Sequence, residues 1–468
     1  MSEHALLKKA LLNATRSMTQ AKNDRYRPGW HLSPLVGLLN DPNGFIQFAG
    51  QYHLFYQWNP LACAHGAKWW GHWRSDDLVN WQNEPVALLP GDVYDSHGCY
   101  SGSAVDDNGT LSLLYTGNVK FAQGRTAWQC LATVDDAGEV TKAGPVIGLP
   151  EGYTGHVRDP KVWRHGEHWY MVLGAQNLQQ QGKVLLYRGD TLQQWTLLGE
   201  IAGSHLNGLG EFGYMWECPD LFALGEQDVL VFCPQGLPAQ AQRWLNTHQS
   251  GYVIGQLNYS KAAYQHGDFH ELDLGFEFYA PQTTLGDDGR RLLFGWVGMP
   301  DENEFYDPTR EQGWMHIMSC PRELRLVEGR LYQQPVDELK SLRGAHQRLE
   351  GRADSLAITD VAQAELVISA EGSWQADFGG AMLLICDESG LRLRRQNRRT
   401  GETETRYWSG QVRQLQILCD RSSLEIFVND GEATLTSRYF PAEEHTLRWQ
   451  GSGELRVDHW QLQSIMLV

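Results

Sequence analysis

A chain of 468 residues with 42% hydrophobic residues and a formal net charge of -17 is too long for one ordinary core and has a soluble, globular composition, so two domains are expected. Its negative field argues against nucleic acid or an anionic membrane surface as partner, since both are polyanions. The 18 Trp and 49 Gly point to strands and tight turns.

Residues 1–27 read as a helix or frayed arm. Their short apolar pairs, interrupted by Lys8, Lys9 and Asn13, supply neither a signal-peptide core nor a membrane span. A cytoplasmic address follows as the expectation. The eight cysteines are scattered without a CxxC pair, as reduced thiols of that compartment would be, and offer neither a disulfide framework nor a zinc site.

From about residue 28 to 335 one pattern recurs: a glycine turn, then an apolar strand. Gly50 precedes QYHLFYQ, Gly109 TLSLLYTG, Gly166 EHWYMVLG, Gly225 EQDVLVFCPQG and Gly289 RRLLFGW, at intervals of 59, 57, 59 and 64 residues. A glycine before a strand is ordinary hairpin chemistry, but even spacing suggests repetition. Each interval has room for the four strands of one propeller blade. The predicted fold is therefore all-β: a five-bladed β-propeller over 28–335, a polar, partly helical linker over 336–350, and a C-terminal β-sandwich over 351–468. Runs such as AELVIS, LQILCD and SSLEIFVNDGE in that last part alternate as antiparallel strands do. It holds no recognisable acidic constellation, so it is expected to support the propeller or an oligomer contact. Oligomeric state has no sequence signal.

Counting eight residues back from each repeat glycine reaches Pro42 beside Asp41, then Ser101, Arg158 beside Asp159, Glu217, and Pro281. That position lies on the strand expected to be innermost, so Asp41, Asp159 and Glu217 should converge on one axial pocket. Clustered acids raise one another's pKa and weaken a fold unless something depends on them. Glycoside hydrolysis by retention supplies a reason, with one ionised carboxylate as nucleophile and one protonated carboxyl as acid, about 5–5.5 Å apart. Arg158 next to Asp159 would hold that acid ionised, and Glu217, between Trp216 and Cys218, would keep a proton near neutral pH. Singly, Asn-Asp-Pro-Asn-Gly is a good turn, Arg-Asp-Pro an ion pair and Glu-Cys-Pro-Asp a loop; their shared blade position favours catalysis. Trp58, Trp69, Trp70, Trp73 and Tyr100 lie nearby in sequence, as sugar-stacking groups or as core.

The segments LLNDPNG, FYQWNP, WWGHWRSDDLVNW, YSGSA, RDPKV, WECPD, FYAPQT, CPREL and SSLEIFVNDGE, in this order, resemble glycoside hydrolase family 32, the invertases and fructanases, over nearly the whole chain. The resemblance implies a five-bladed propeller followed by a β-sandwich, and a reaction that retains configuration with no metal or organic cofactor. It implies that Asp41 attacks the anomeric carbon of fructose, that Glu217 protonates the glycosidic oxygen, and that Asp159 holds fructose hydroxyls and steadies an oxocarbenium-like transition state. Asn40, Gln57, Ser101 and Arg158 match sugar-contacting positions. The chain departs from the pattern at His65, where several relatives carry Trp, and at Tyr100, where Phe is frequent. With Trp70 these are expected at the sugar rim. The expected substrate is a small sugar, sucrose 6-phosphate, which a cell makes and keeps inside; His65, Lys68, Lys120, Arg125 and His156 are candidates to meet its phosphate. Hydrolysis of free sucrose or short fructans is the alternative. A non-catalytic carbohydrate-binding propeller is a different class, disfavoured because a binding module has no use for three buried acids.

Overall fold

The computed structural model describes Leu7, Ala10 and residues 23–465. The expected arm over 1–27 lies mostly outside the described residues. Among the described residues no helix is long and apolar enough to cross a membrane.

Five antiparallel sheets follow one another in the chain, over 37–83, 99–147, 153–203, 215–271 and 279–335. Each begins with one strand: Gly37–Phe48, Cys99–Asp107, Tyr153–His165, Met215–Leu224 and Tyr279–Leu285. The repeat glycines close the turns that follow with left-handed backbone, φ +80° at Gly50 and +89° at Gly109, a region only glycine enters freely. Second strands such as Thr110–Phe121 and His168–Asn177 are buried on both faces. They read as unbroken apolar runs because each sheet stacks on its neighbours.

The five first strands pack against one another in a closed ring, each touching the next and the fifth returning to the first. A connector within the fifth sheet sends Trp314 and Met315 back to pair in parallel with Gly37 and Leu38, which ties the last sheet to the first. This is a propeller, and its ring of first strands surrounds the axis.

Beyond it, Asp337–Leu342 form a 3-10 turn and Arg343–Arg352 a strand paired with Glu454–Leu462, so the segment expected as a linker already begins the next unit. That unit is a β-sandwich of two six-stranded sheets. Leu366, Ile417, Leu384, Leu393, Trp374 and Trp449 fill the space between them.

A buried ionic seam joins the two units. Asp420 of the sandwich accepts the backbone N–H of Gly29, Trp30 and His31 and bonds His31 Nδ1 at 2.9 Å. Glu425 bonds His31 Nε2 at 2.7 Å and Arg322 Nη2 at 2.5 Å, and accepts the N–H of Cys320. Arg322 also faces Asp273 at 3.3 Å, while Arg395 reaches Glu277 at 2.6 Å. Burial pushes Glu425 and Glu277 up, but the adjoining Arg322 and Arg395 outweigh it and hold both near about 2.

Candidate active site

Every first strand breaks its ladder at the same place. Register is lost between Leu39 and Pro42, Tyr100 and Gly102, Arg158 and Lys161, Glu217 and Asp220, and Tyr279 and Gln282. Four of these bulges contain a proline, which has no N–H to give to the ladder. The residues before three of them, Asp159, Cys218 and Ala280, sit at φ +67°, +49° and +49°. Non-glycine residues in that region store about 1–3 kcal/mol each and persist where the surroundings over-determine them. A bulge re-aims side chains. Here it turns Asp41, Ser101, Asp159 and Glu217 onto one axis.

The acids are held by different partners. Asp41 Oδ2 accepts Ser101 Oγ–H at 2.5 Å, and its Oδ1 accepts Asn40 Nδ2–H at 3.0 Å. Asn40 also contacts Gln57 Oε1 at 3.4 Å, and Gln57 is anchored on the Cys99 carbonyl at 3.1 Å. Asp159 Oδ2 accepts the Cys218 N–H at 2.9 Å, while its own N–H bonds Thr116 Oγ1 at 3.0 Å. Glu217 Oε1 receives Arg158 through Nε at 3.0 Å and Nη2 at 2.6 Å. Its Oε2 accepts Tyr279 O–H at 2.6 Å and Gln235 Nε2–H at 2.8 Å. The Cys218 thiol, 3.8 Å from Asp41 Oδ2 and 3.5 Å from Asp159 Oδ2, links the two aspartates and is the chain neighbour of Glu217.

The expected division of charge is corrected by this geometry. Arg158 was expected to keep Asp159 ionised, but its guanidinium lies on Glu217. Neighbours along a strand point to opposite faces, and Asp159 is turned further by its left-handed backbone. Burial pushes Glu217 up, yet the Arg158 charge, with the Tyr279 and Arg158 bonds, prevails and holds it below the ordinary carboxylate range. Burial, with the charges of Glu217 and Asp41, raises Asp159 to about 7 despite Arg158. Burial and the Glu217 charge also raise Asp41, against the Ser101 and Asn40 bonds. The cluster thus raises both aspartates and lowers the glutamate.

The other expected site residues separate into two groups. Tyr100 is half-buried, with Arg125 Cζ 5.9 Å from its ring centre, and His156 Nδ1 lies 2.9 Å from Arg158 Nη1. His65 Nδ1 is 2.9 Å from the buried Lys68 Nζ, and His65 Nε2 is 3.2 Å from Glu304, which also meets His316 at 3.1 Å. Burial, against the charges of Asp41 and Glu304, brings Lys68 down to about 7. Trp70 is fully buried, and its indole N–H bonds the Tyr100 carbonyl at 3.0 Å. Its position is behind the site, bracing the strand that carries Tyr100 and Ser101. Trp69 and Trp73 are likewise core.

Tyr279, Gln235, Cys218 and Thr116 are functional neighbours that sequence reasoning left unassigned. Tyr279 could have been found, since FYAPQT holds the fifth sheet's copy of the bulge. Gln235 and Thr116 sit on second strands, where no repeat position singles them out.

The family description "Glycosyl hydrolases family 32 N-terminal domain" matches residues 31–335, and "Glycosyl hydrolases family 32 C terminal" matches 340–463. The chain is 54% identical to the sucrose-6-phosphate hydrolase of Salmonella typhimurium, covering 98% of each protein. It is 45% identical to the sucrose-6-phosphate hydrolase of Bacillus subtilis strain 168, covering 94% of this chain and 95% of that one. Among solved structures it is similar to a sucrose-6-phosphate hydrolase from Lactobacillus gasseri, with a TM-score of 0.88, 31% identity and 97% of each chain covered. A GH32 beta-fructofuranosidase of Bombyx mori aligns with a TM-score of 0.88, 32% identity and 99% coverage of each chain, and a mutant of it is solved in complex with sucrose.

Proposed function

The chain belongs to glycosyl hydrolase family 32, and from that premise we propose that it is a cytoplasmic, retaining β-fructosidase that hydrolyses sucrose 6-phosphate to glucose 6-phosphate and fructose. We read its five sheets as the five blades of a catalytic propeller over 28–335, with the sandwich beginning at Arg343. The observation that carries the chemistry is the cluster of three acids on three bulges, Asp159 buried and Asp41 and Glu217 half-buried, each held by a different set of donors.

Asp41 is the nucleophile. Ser101 and Asn40 fix both of its oxygens, so that one attacks the anomeric carbon of the fructosyl unit. The bond from that carbon to the glycosidic oxygen breaks as Glu217 delivers its proton to the departing oxygen, and a fructosyl-Asp41 ester remains. Glu217, now ionised beside Arg158 and Tyr279, takes a proton from water as water attacks the same carbon and releases Asp41. Asp159 accepts fructose hydroxyls.

The opposed shifts of the acids give the substrate a part in preparing the cycle. Sugar hydroxyls that donate to Asp41 and Asp159 favour the ionised forms of both. Ionised aspartates in turn favour the protonated form of the neighbouring Glu217, which the leaving group needs.

The test is kcat/KM of the purified protein for sucrose 6-phosphate against sucrose, a ratio that reports differential transition-state binding of the phosphate. We expect a preference of about a hundredfold, near 2.7 kcal/mol. A ratio near one would make this a general invertase and refute the phosphorylated substrate.

A further inference from the structure

We infer that Arg125, assisted by Lys120 and His156, takes the phosphate of the leaving group and is the specificity determinant of this enzyme; the inference rests on the substrate reading above. Glu217 must touch the glycosidic oxygen, so the leaving group lies on the Glu217 side of the cluster. From Glu217 a chain of basic side chains follows, two arginines with the neutral His156 between them. Arg158 bonds Glu217 at 2.6 Å, His156 Nδ1 lies 2.9 Å from Arg158 Nη1, and Arg125 acts on the His156 ring as the next charge. Arg125 and Lys120 face one another across the hairpin of the second sheet.

Gly155 lets that hairpin reach the site. A Cβ there would stand 2.1 Å from the Arg125 carbonyl oxygen and 2.7 Å from Arg125 Cγ, so any larger residue would push the hairpin away from the strand carrying Arg158 and Asp159. The Arg125 guanidinium is thereby brought beside the Tyr100 ring, at 5.9 Å, where an aromatic face and a cation meet at the rim.

Two cation sets flank the acids, and only one is matched by an acid. Lys68 and His65 stand with Glu304, and Lys68 is buried on the Asp41 side, where Asp41 feels its charge. Arg125 and Lys120 form no ion pair among the described residues. In a chain of net charge -17 an unopposed cationic rim beside the leaving-group acid calls for an anionic ligand, and Arg presents a planar fork suited to phosphate oxygens.

The experiment measures kcat/KM for sucrose 6-phosphate and for sucrose with wild type, Arg125→Gln, Arg125→Lys and His65→Asn. Gln keeps the Cγ that packs on Gly155. The expected result is that Arg125→Gln lowers kcat/KM for sucrose 6-phosphate about ten- to hundredfold more than for sucrose, as loss of a charge-assisted bond does. Arg125→Lys restores much of the difference and His65→Asn leaves the ratio in place. Equal losses on both substrates, no loss on either, or a collapse of the ratio in His65→Asn would overturn the inference while leaving the substrate reading intact. A wild-type ratio near one would overturn both.

Discussion

The acid cluster on the propeller axis and the ionic seam beneath the sandwich are built from the same residue types, yet the two axial aspartates are raised where the seam glutamates are lowered. In the seam every buried acid faces a cation or several N–H donors, and Glu425 and Glu277 are held near about 2. On the axis three acids share essentially one guanidinium, and Asp159 is pushed up to about 7. Burial raises the acids in both places. What differs is whether charge is compensated, and the uncompensated place is the one that must move a proton. Stability is concentrated in the seam and given up at the axis.

The sharpest way to break the contrast is to remove one member of each region. Asp41→Asn should lower kcat by at least about 10⁴-fold, since no other group can form the ester, while sugar binding followed by calorimetry survives. Glu425→Gln should do the reverse. It leaves Arg322 and His31 buried with one carboxylate fewer, only Asp273 and Asp420 remaining, and should cost about 3–5 kcal/mol of unfolding free energy, read by denaturant titration, with kcat at low temperature retained.

The pH dependence of Tm sharpens the comparison further. Glu425 and Glu277 have folded values near about 2 against an ordinary 4.5, so their contribution is complete above pH 4.5 and is lost as pH falls toward 2. Asp159 has the opposite sign. Its folded value, about 7 against 3.8, means that ionisation penalises the fold increasingly from pH 4 to pH 7. Asp159→Asn should therefore raise Tm at pH 8, raise it much less at pH 5, and still impair turnover. The smallest effect expected is that of Tyr279→Phe. Its hydroxyl stabilises ionised Glu217, so its loss should raise the glutamate's pKa and move the alkaline limb of kcat/KM to higher pH.

Much of this was legible in sequence, for reasons that differ by residue. Asp41, Ser101, Asp159 and Glu217 could be grouped in sequence because the turn glycines mark strand register and these residues stand within one residue of a common offset. The ring contacts of Arg158 were not, because adjacency along a strand says nothing of facing, and a bulge changes it again. Trp70 carries the composition of a sugar platform and is packed behind one. The seam escaped notice because its members lie far apart: His31, Arg322 of CPREL and Glu425 of SSLEIFVNDGE are separated by up to 394 residues. Two segments that mark the family thus bond each other across the two units, at 2.5 Å, and position no substrate.

The central claim is that Asp41 becomes covalently fructosylated, and mass spectrometry of acid-quenched enzyme tests it most directly. With Glu217→Gln, which lacks the base for the second step, and a fructosyl donor whose leaving group needs no protonation, the peptide containing Asp41 should carry one fructosyl unit. An unmodified Asp41 peptide, with the label on another acid or on none while product still forms, would contradict the account.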